Sequence, residues 1–234
     1  VPSVSFIVPA HNEDVLLGRT LAAIHAAARS LGERYEIVVA NDSSTDRTAE
    51  VARELGALVI DVAHRQIAAT RNSGARASTG EYLIFVDADT VVTKRAVRAA
   101  LRAMKRGVIG GGCCARFDGP VPLYGTLLIG ILSMFAPAVG LAGEAFFYST
   151  RHAFETVCGF DETLFASEEV TLATQLKRLG RFVVLREVVY TSGRKVRAHS
   201  ALDMLRIGIR LARGGRMAFR RREGMDLWYG PRGE

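Results

Sequence analysis

The apolar run Tyr82-Leu83-Ile84-Phe85-Val86 breaks off directly into Asp87-Ala88-Asp89, and few architectures can use such a junction. Five β-forming and apolar residues are too few for an ordinary helix and read as one buried strand. Two side chains at i, i+2 on a strand point to the same side, so the spacing predicts a tip carrying paired carboxylates. Open α/β sheets bind their ligands at the carboxyl ends of such strands. Oxygen donors paired there suit a hard divalent cation, Mg²⁺ or Mn²⁺, of the kind that bridges to phosphates. A competing reading makes Asp89 the cap of the next helix, predicted over residues 94–104. Thr93 is the natural N-cap of that helix, which leaves the aspartates for another task.

The surrounding sequence repeats the pattern of strand and helix. Strands are predicted at residues 4–8, stopped by Pro9, at 35–40 and at 58–61. Helices are predicted at 16–31, at 45–55 with Ser44 or Thr45 as cap, and at 64–77. Strands alternating with helices of this length indicate βαβ units and a largely parallel sheet. After Gly107 the regularity fails. Gly110-Gly111-Gly112 and Gly119-Pro120-Val121-Pro122 read as a change of organisation, a second half-domain built onto the first. Within it a helix is predicted at 167–179 and short strands at 182–184 and 188–190. The chain thus divides into residues 1–107, residues 108–200 and a basic amphipathic segment, 201–234.

A chain of 234 residues can bury a large core, and 49% hydrophobic with 24% charged residues excludes wholesale disorder. The net charge of +7 is unevenly placed: residues 194–222 hold ten Lys or Arg and one acid, Asp203. Such a segment asks for an anionic partner, phosphates or a membrane surface. No aromatic stacking series or nucleic-acid module accompanies it, which argues against nucleic acid. Cys113, Cys114 and Cys158 form neither a metal-ligand spacing nor a disulfide framework. A reducing, cytoplasmic compartment fits them, and the first ten residues run straight into a strand pattern without a charged leader.

Each early strand ends in polar residues that a parallel sheet gathers at one rim. The first gives Pro9-Ala10-His11-Asn12-Glu13 and the second Asn41-Asp42-Ser43-Ser44-Thr45-Asp46. Turn and cap chemistry accounts for Ser44 to Asp46. It leaves Asp42 at the strand tip without a local task, free to accept a hydrogen bond from a base imide or a ribose hydroxyl. Arg71, on the helix before the acidic strand, is either a solvated charge or a site residue set before an Asn-x-Gly break.

In order along the chain, VSFIVPAHNE, YEIVVANDSSTDRT, RNSG, GEYLIFVDADT and GFDETLFASEE resemble glycosyltransferase family 2, a GT-A group that uses nucleotide-diphosphate sugars. These pieces span Val4 to Glu169, about seventy percent of the chain. The resemblance implies a GT-A α/β fold, a Rossmann-like, mostly parallel sheet with helices on both faces and an acceptor-side half-domain. It implies that Pro9, Ala10, Glu13, Asp42 and Arg71 line the nucleotide pocket. Asp87, Ala88 and Asp89 then form the Asp-x-Asp site, touching ribose and metal-bound diphosphate. Two departures stand out: Asn41-Asp42 replaces the usual paired aspartates, and Glu168-Glu169 replaces the usual Glu-Asp of the acceptor side.

A metal-dependent glycosyltransferase, inverting at the anomeric carbon, follows from that resemblance. Family habit favours a UDP-sugar donor, with Mn²⁺ or Mg²⁺ as cofactor. Inversion needs a base opposite the leaving group, a place the resemblance gives to Glu169, with Glu168 beside it. The alternative role for both is local, since two glutamates in a first helical turn favour the helix dipole. The resemblance also suggests that His199 completes the metal shell or meets a phosphate. Imidazole suits Mn²⁺ better than Mg²⁺, and a solvated loop histidine is the simpler alternative. Two rivals remain: a sugar-nucleotide nucleotidyltransferase, and a non-catalytic sugar-nucleotide-binding module of the same fold.

Residues 127–143 are uncharged and seventeen long, short of the roughly twenty that span a bilayer. They read as a buried helix or as a membrane-dipping hairpin that admits a lipid-linked acceptor. Basic residues interleaved with Leu202, Leu205, Ile209 and Met217 suit peripheral contact with an anionic membrane, a solvated lid or a partner-binding face.

Overall fold

Successive strand residues, buried alike, point to opposite faces and divide the core between the two sides of a single sheet. The computed structural model describes residues 3–119, 121–122, 145–194 and 197. The segment 127–143, His199 and residues 201–234 lie outside the described residues. Strands β1 (Val4–Ala10), β2 (Tyr35–Asp42), β3 (Leu58–Val62) and β4 (Tyr82–Val86) alternate with helices α1 (Asp14–Arg29), α2 (Thr48–Glu54) and α3 (Ile67–Ala77). Then come β5 (Thr90–Val91), α4 (Lys94–Lys105), β6 (Gly110–Asp118) and β7 (Phe146–Thr150). Helices α5 (Arg151–Thr156) and α6 (Glu168–Leu179) lead to the last strand, β8 (Phe182–Ser192).

The eight strands lie in the order β3-β2-β1-β4-β7-β6-β8-β5. The first four are mutually parallel, as the βαβ pattern predicts. Beyond them the sheet is mixed: β7 runs antiparallel to β4 and β6, whereas β6 and β8 are parallel. Parallel strands need cover on both sides. Phe6, Val8, Ile84, Val86, Phe146 and Tyr148 pack with Leu17 and Leu21 of α1 and Val97 and Leu101 of α4. The intervening Ile7, Leu83, Phe85 and Phe147 pack with Ala68 and Ala75 of α3, Phe154 of α5 and Leu172 and Leu176 of α6.

Several boundaries depart from the sequence expectation, each for a physical reason. Pro9 does not stop β1, which pairs with β2 through Pro9↔Ala40 and Ala10↔Asn41. Pairing with β4 ends at Ile7↔Phe85, so Pro9 lies past the doubly paired stretch, where a missing amide is tolerated. Helix α2 starts at Thr48, three residues late, because Asp46 turns back to accept from the Thr48 amide at 3.0 Å. Ser167, expected as the first residue of the helix at 167–179, instead precedes α6 with a left-handed backbone, φ 62°, and makes no side-chain cap. The two short strands near the end are one, β8, interrupted by a bulge where Cys113↔Leu185 is followed by Cys114↔Val188.

Glycines 110–112 were expected to break regular structure and instead open strand β6. A Cβ on Gly111 would lie 1.9 Å from the Val183 carbonyl oxygen and 2.4 Å from the Tyr148 hydroxyl oxygen. That hydroxyl donates to the same Val183 oxygen at 2.7 Å, so the glycine makes room for a cross-strand bridge. Gly111→Ala is therefore expected to destabilise the fold by roughly 1–3 kcal/mol or more, the cost of overpacking against backbone. Gly110→Ala, whose nearest contact is the mobile tip of Leu176 at 2.9 Å, should cost less. Denaturant midpoints of the two variants check the order.

Candidate active site

From β1 the chain proceeds to one side through β2 and β3 and to the other through β4. Such a reversal of strand order opens a crevice at the carboxyl ends, the place where α/β sheets take ligands. Three loops at this rim each hold a non-glycine residue in the left-handed region: Asn12 (φ 51°), Ser43 (φ 56°) and Arg65 (φ 52°). Such conformations persist where surrounding bonds over-determine them, and here they do. The Asn12 amide donates to Ser44 Oγ at 3.0 Å, and Asn12 Oδ1 accepts from the Thr45 amide at 2.8 Å. Asp46 accepts from the Asp14 amide at 3.2 Å, and Thr48 Oγ1 accepts from the Glu13 amide at 2.7 Å. The polar residues after β2 thus organise the start of α1 as well as their own turn.

Asp42 has a local task after all. Its Oδ1 accepts from the His64 and Arg65 amides, each at 2.9 Å. Its Oδ2 accepts from the Gln66 amide at 3.2 Å and from Thr70 Oγ1 at 2.8 Å. A carboxylate offers about four lone-pair positions, and this one spends them on the loop that enters α3. Gln66 extends the link: its amide group donates to the Glu162 and Leu164 carbonyls at 2.7 and 2.6 Å. The start of α3 is thereby tied to the segment leading into α6.

Arg71 lies mid-helix, and the expected break after it does not occur, since α3 continues to Ala77. Gly74 is there because a Cβ would meet Ile7 Cγ2 at 2.5 Å; the glycine lets α3 settle on β1. Arg71 is buried, not solvated, with a side chain 3% exposed. Its Nη2 donates to Asp87 Oδ1 at 2.8 Å, and its Nη1 to Glu168 Oε1 at 2.9 Å and Glu169 Oε1 at 2.5 Å. Phe160 packs against the guanidinium 5.3 Å away. Asn72, next in sequence, exchanges hydrogen bonds with the Phe160 backbone at 2.9 and 3.0 Å, holding that loop in place. One cation here faces three carboxylates. Burial first, and the neighbouring Glu169 second, hold the Glu168 carboxyl well above the usual carboxylate range. Both glutamates stand in the first turn of α6, as expected, yet they are buried and turned onto Arg71 rather than left to the helix dipole.

Asp87 and Asp89 do not project from a strand. Strand β4 ends at Val86, and the aspartates sit in a turn closed by the Thr90 amide donating to the Asp87 carbonyl at 3.0 Å. The same-side rule for strands therefore does not govern them, and they face different partners. Asp87 meets Arg71, while Asp89 accepts from Thr191 Oγ1 at 3.3 Å and lies 3.8 Å from Arg194 Nη2. Arg194 also donates to Glu13 Oε2 at 2.6 Å, joining a residue after β1 to one after β4 through the end of β8. Thr93 caps α4 as expected, accepting from the Ala96 amide at 3.2 Å. Arg194, Gln66 and Asn72 were not anticipated. Arg194 reads as part of the basic segment, Asn72 lies within the RNSG piece without a role of its own, and Gln66 carries no sequence signal.

Among the described residues no group of three or more His, Cys, Asp or Glu stands ready to hold a metal. Carboxylate oxygens of Asp87 and Asp89 are the donor type a hard divalent cation prefers, and Mg²⁺ is commonly held by one or two carboxylates with phosphates supplying the rest. The residues present fit such an ion. No helix among the described residues is long and apolar enough to cross a membrane.

Comparison with known proteins bears on the fold and the family. The chain is 32% identical over 128 residues to validoxylamine A glucosyltransferase of Streptomyces hygroscopicus subsp. limoneus, which covers 50% of this chain and 28% of that protein. The chain thus spans under a third of the length of this curated relative. Mannosyltransferase PcManGT from Pyrobaculum calidifontis, solved with GDP-Man and Mn²⁺, superposes with a TM-score of 0.68 at 21% identity, over 88% of this chain and 60% of that one. Glucosyl-3-phosphoglycerate synthase from Mycobacterium tuberculosis, solved with Mn²⁺, UDP and glucosyl-3-phosphoglycerate, gives 0.61 at 20% identity, over 91% and 80%. At those identities the likeness establishes the GT-A fold. The model of glycosyl transferase family 2 matches residues 5–159, most of the ordered sheet and its rim, and the chain belongs to that family.

Proposed function

We propose that the chain transfers a sugar from a nucleotide-diphosphate donor to an acceptor, with inversion and with help from a divalent cation. The observation that supports it best is the Arg71 cluster. A helix of the first half, the turn after β4 and the start of α6 bring three carboxylates onto one guanidinium at the sheet's switch point. In this reading residues 1–107 bind the donor and residues 108–200 the acceptor. Pro9, Ala10, Glu13 and Ala88 form the walls of the nucleotide pocket, and Asp42 shapes it by fixing the loop at residues 64–66. Family habit makes a UDP-sugar our first choice; the two fold neighbours, solved with GDP-Man and with UDP, make both donors worth testing.

Asp87 and Asp89 would hold Mn²⁺ or Mg²⁺, which supplies positive charge against the diphosphate leaving group. The chain's own residues do the remainder. Arg71 fixes the Asp87 carboxylate in place. Glu169, whose side chain is 10% exposed against 2% for Glu168, lies nearer the surface and takes the acceptor's proton. Burial, and after it Glu169, favour the neutral form of Glu168 against the pull of Arg71, which limits the negative charge gathered on the acceptor side.

Four outcomes test this reading. Donor hydrolysis across a panel of UDP- and GDP-sugars, with Mn²⁺ and then with chelator, should show metal-dependent turnover. Asp89→Ala should lose roughly a hundredfold or more of it, and full activity of that variant in chelator would refute the metal role. Glu169→Gln should lower kcat by about 10²–10⁴-fold, the usual share of a general base, with little change in donor KM. A fall in melting temperature with kcat intact would instead assign it a structural role. Asp42→Ala should cost about 1–3 kcal/mol of stability, because buried amides lose their acceptor. Nucleotide affinity should fall with it; calorimetry and denaturation on one sample compare the two losses.

A further inference from the structure

A second feature lies on the α4 face of the sheet, opposite the Arg71 cluster. Helix α4 buries Ala96, Val97, Ala100, Leu101 and Met104 against the sheet. Its outer side carries Arg95, Arg98, Arg102 and Arg106, which with Arg181 at the start of β8 line a groove of about 480 Å³ floored by Ala99, Ala103, Val108 and Val183. Strand β8 pairs with β5 only at Tyr190 and Thr191, so the groove runs beside its open edge. Among the described residues none of the five guanidinium groups makes an ion pair or a hydrogen bond, and Glu187, the one acid on the wall, pairs with none of them.

Fold stability does not explain this arrangement. Arginines three or four apart on a helix repel one another. Lys94 and Arg95 in the first turn oppose the helix dipole, and no acid accompanies them there. The stretch 90–117 contains seven Lys or Arg and no Asp or Glu, whereas solubility is served by mixed signs. Guanidinium forks match phosphate oxygens in pairs. The row from Arg95 to Arg106 is about 16 Å long at 1.5 Å per residue, longer than one phosphate can bridge. No aromatic side chain lines the groove to stack a base, which disfavours nucleic acid.

We propose that the groove between α4 and the edge of β8 is a second anion site, distinct from the donor crevice, for a ligand bearing two or more phosphate groups. The same chemistry has two sources, a soluble polyphosphate compound and the headgroups of an anionic lipid.

Calorimetry of the full chain with sodium tripolyphosphate, at low salt with chelator, tests it. Binding should weaken as salt rises, since screening and ion release act on such contacts. The double substitution Arg98→Ala, Arg102→Ala, on an exposed face, should weaken it at least tenfold while the melting temperature holds. Arg98→Lys with Arg102→Lys keeps the charge but not the fork, and should weaken it several-fold. Unchanged affinity in the alanine variant would place the binding elsewhere, the basic segment 194–222 included, and overturn the site. Unchanged affinity in the lysine variant, or equal binding of polyglutamate, would reduce it to diffuse charge and overturn it too. Flotation with phosphatidylglycerol but not phosphatidylcholine vesicles, lost in the alanine variant and displaced by tripolyphosphate, would identify the lipid source. Tripolyphosphate binding without flotation would identify the soluble one.

Discussion

A single buried guanidinium decides the shape of the rim. Arg71 reaches from α3 to the turn after β4 and to the first turn of α6, elements that no strand pairing joins at that point. Removing one partner from a buried ion cluster typically costs about 3–5 kcal/mol, because the charge left behind has no water to turn to. Phe85, Phe147, Phe154 and Phe160 stack beneath it at centroid distances of 5.0–6.4 Å. That aromatic floor excludes solvent and sharpens the electrostatics above it. Packing and charge are therefore coupled: the phenylalanines raise the cost of an unpaired carboxylate, and the arginine makes it tolerable to gather three.

The rim is also unusually well braced by its own backbone. Asp42 and Asp46 spend their oxygens on amides of neighbouring loops. Burial alone would push the Asp46 carboxyl up, yet the bonds from Thr48 and Asp14 prevail and hold it below its usual value. Asp42, which sequence inspection offers to a ligand, thus holds the loop before α3 still, while Asp46 keeps the turn and cap task expected of it.

How much of this was legible in the sequence follows the range of the interactions. The short apolar strands β1 to β4, the helix capped by Thr93 and the acidic turn after Val86 are local signals, readable to within a few residues. Strand β6 was hidden because its glycines answer to Tyr148 and Val183, far away in the chain. Strand β7, three aromatic residues followed by Ser149 and Thr150, has no periodicity that separates it from a buried helix turn. Among site residues, the motifs pointed to Arg71, Asp87, Glu168 and Glu169, and these four touch. Arg194 was invisible as a partner of Glu13 because the two are 181 positions apart; no spacing rule reaches that far.

The order of strands in the sheet has a consequence for how the molecule is made. Strands β1 to β4 pair through short βα connections and can assemble as the chain emerges. The next neighbour in space, β7, arrives some sixty residues later, and Thr191, the partner of Thr90, lies about a hundred residues beyond Thr90. Contacts of such separation close slowly, since a long loop must be confined before they repay it. The β1 to β4 side of the crevice therefore precedes the α6 side during synthesis. Until α6 folds down, Arg71 has Asp87 beside it but neither glutamate, and the apolar surface that α6 covers stays open, a stage at which such chains are prone to aggregate.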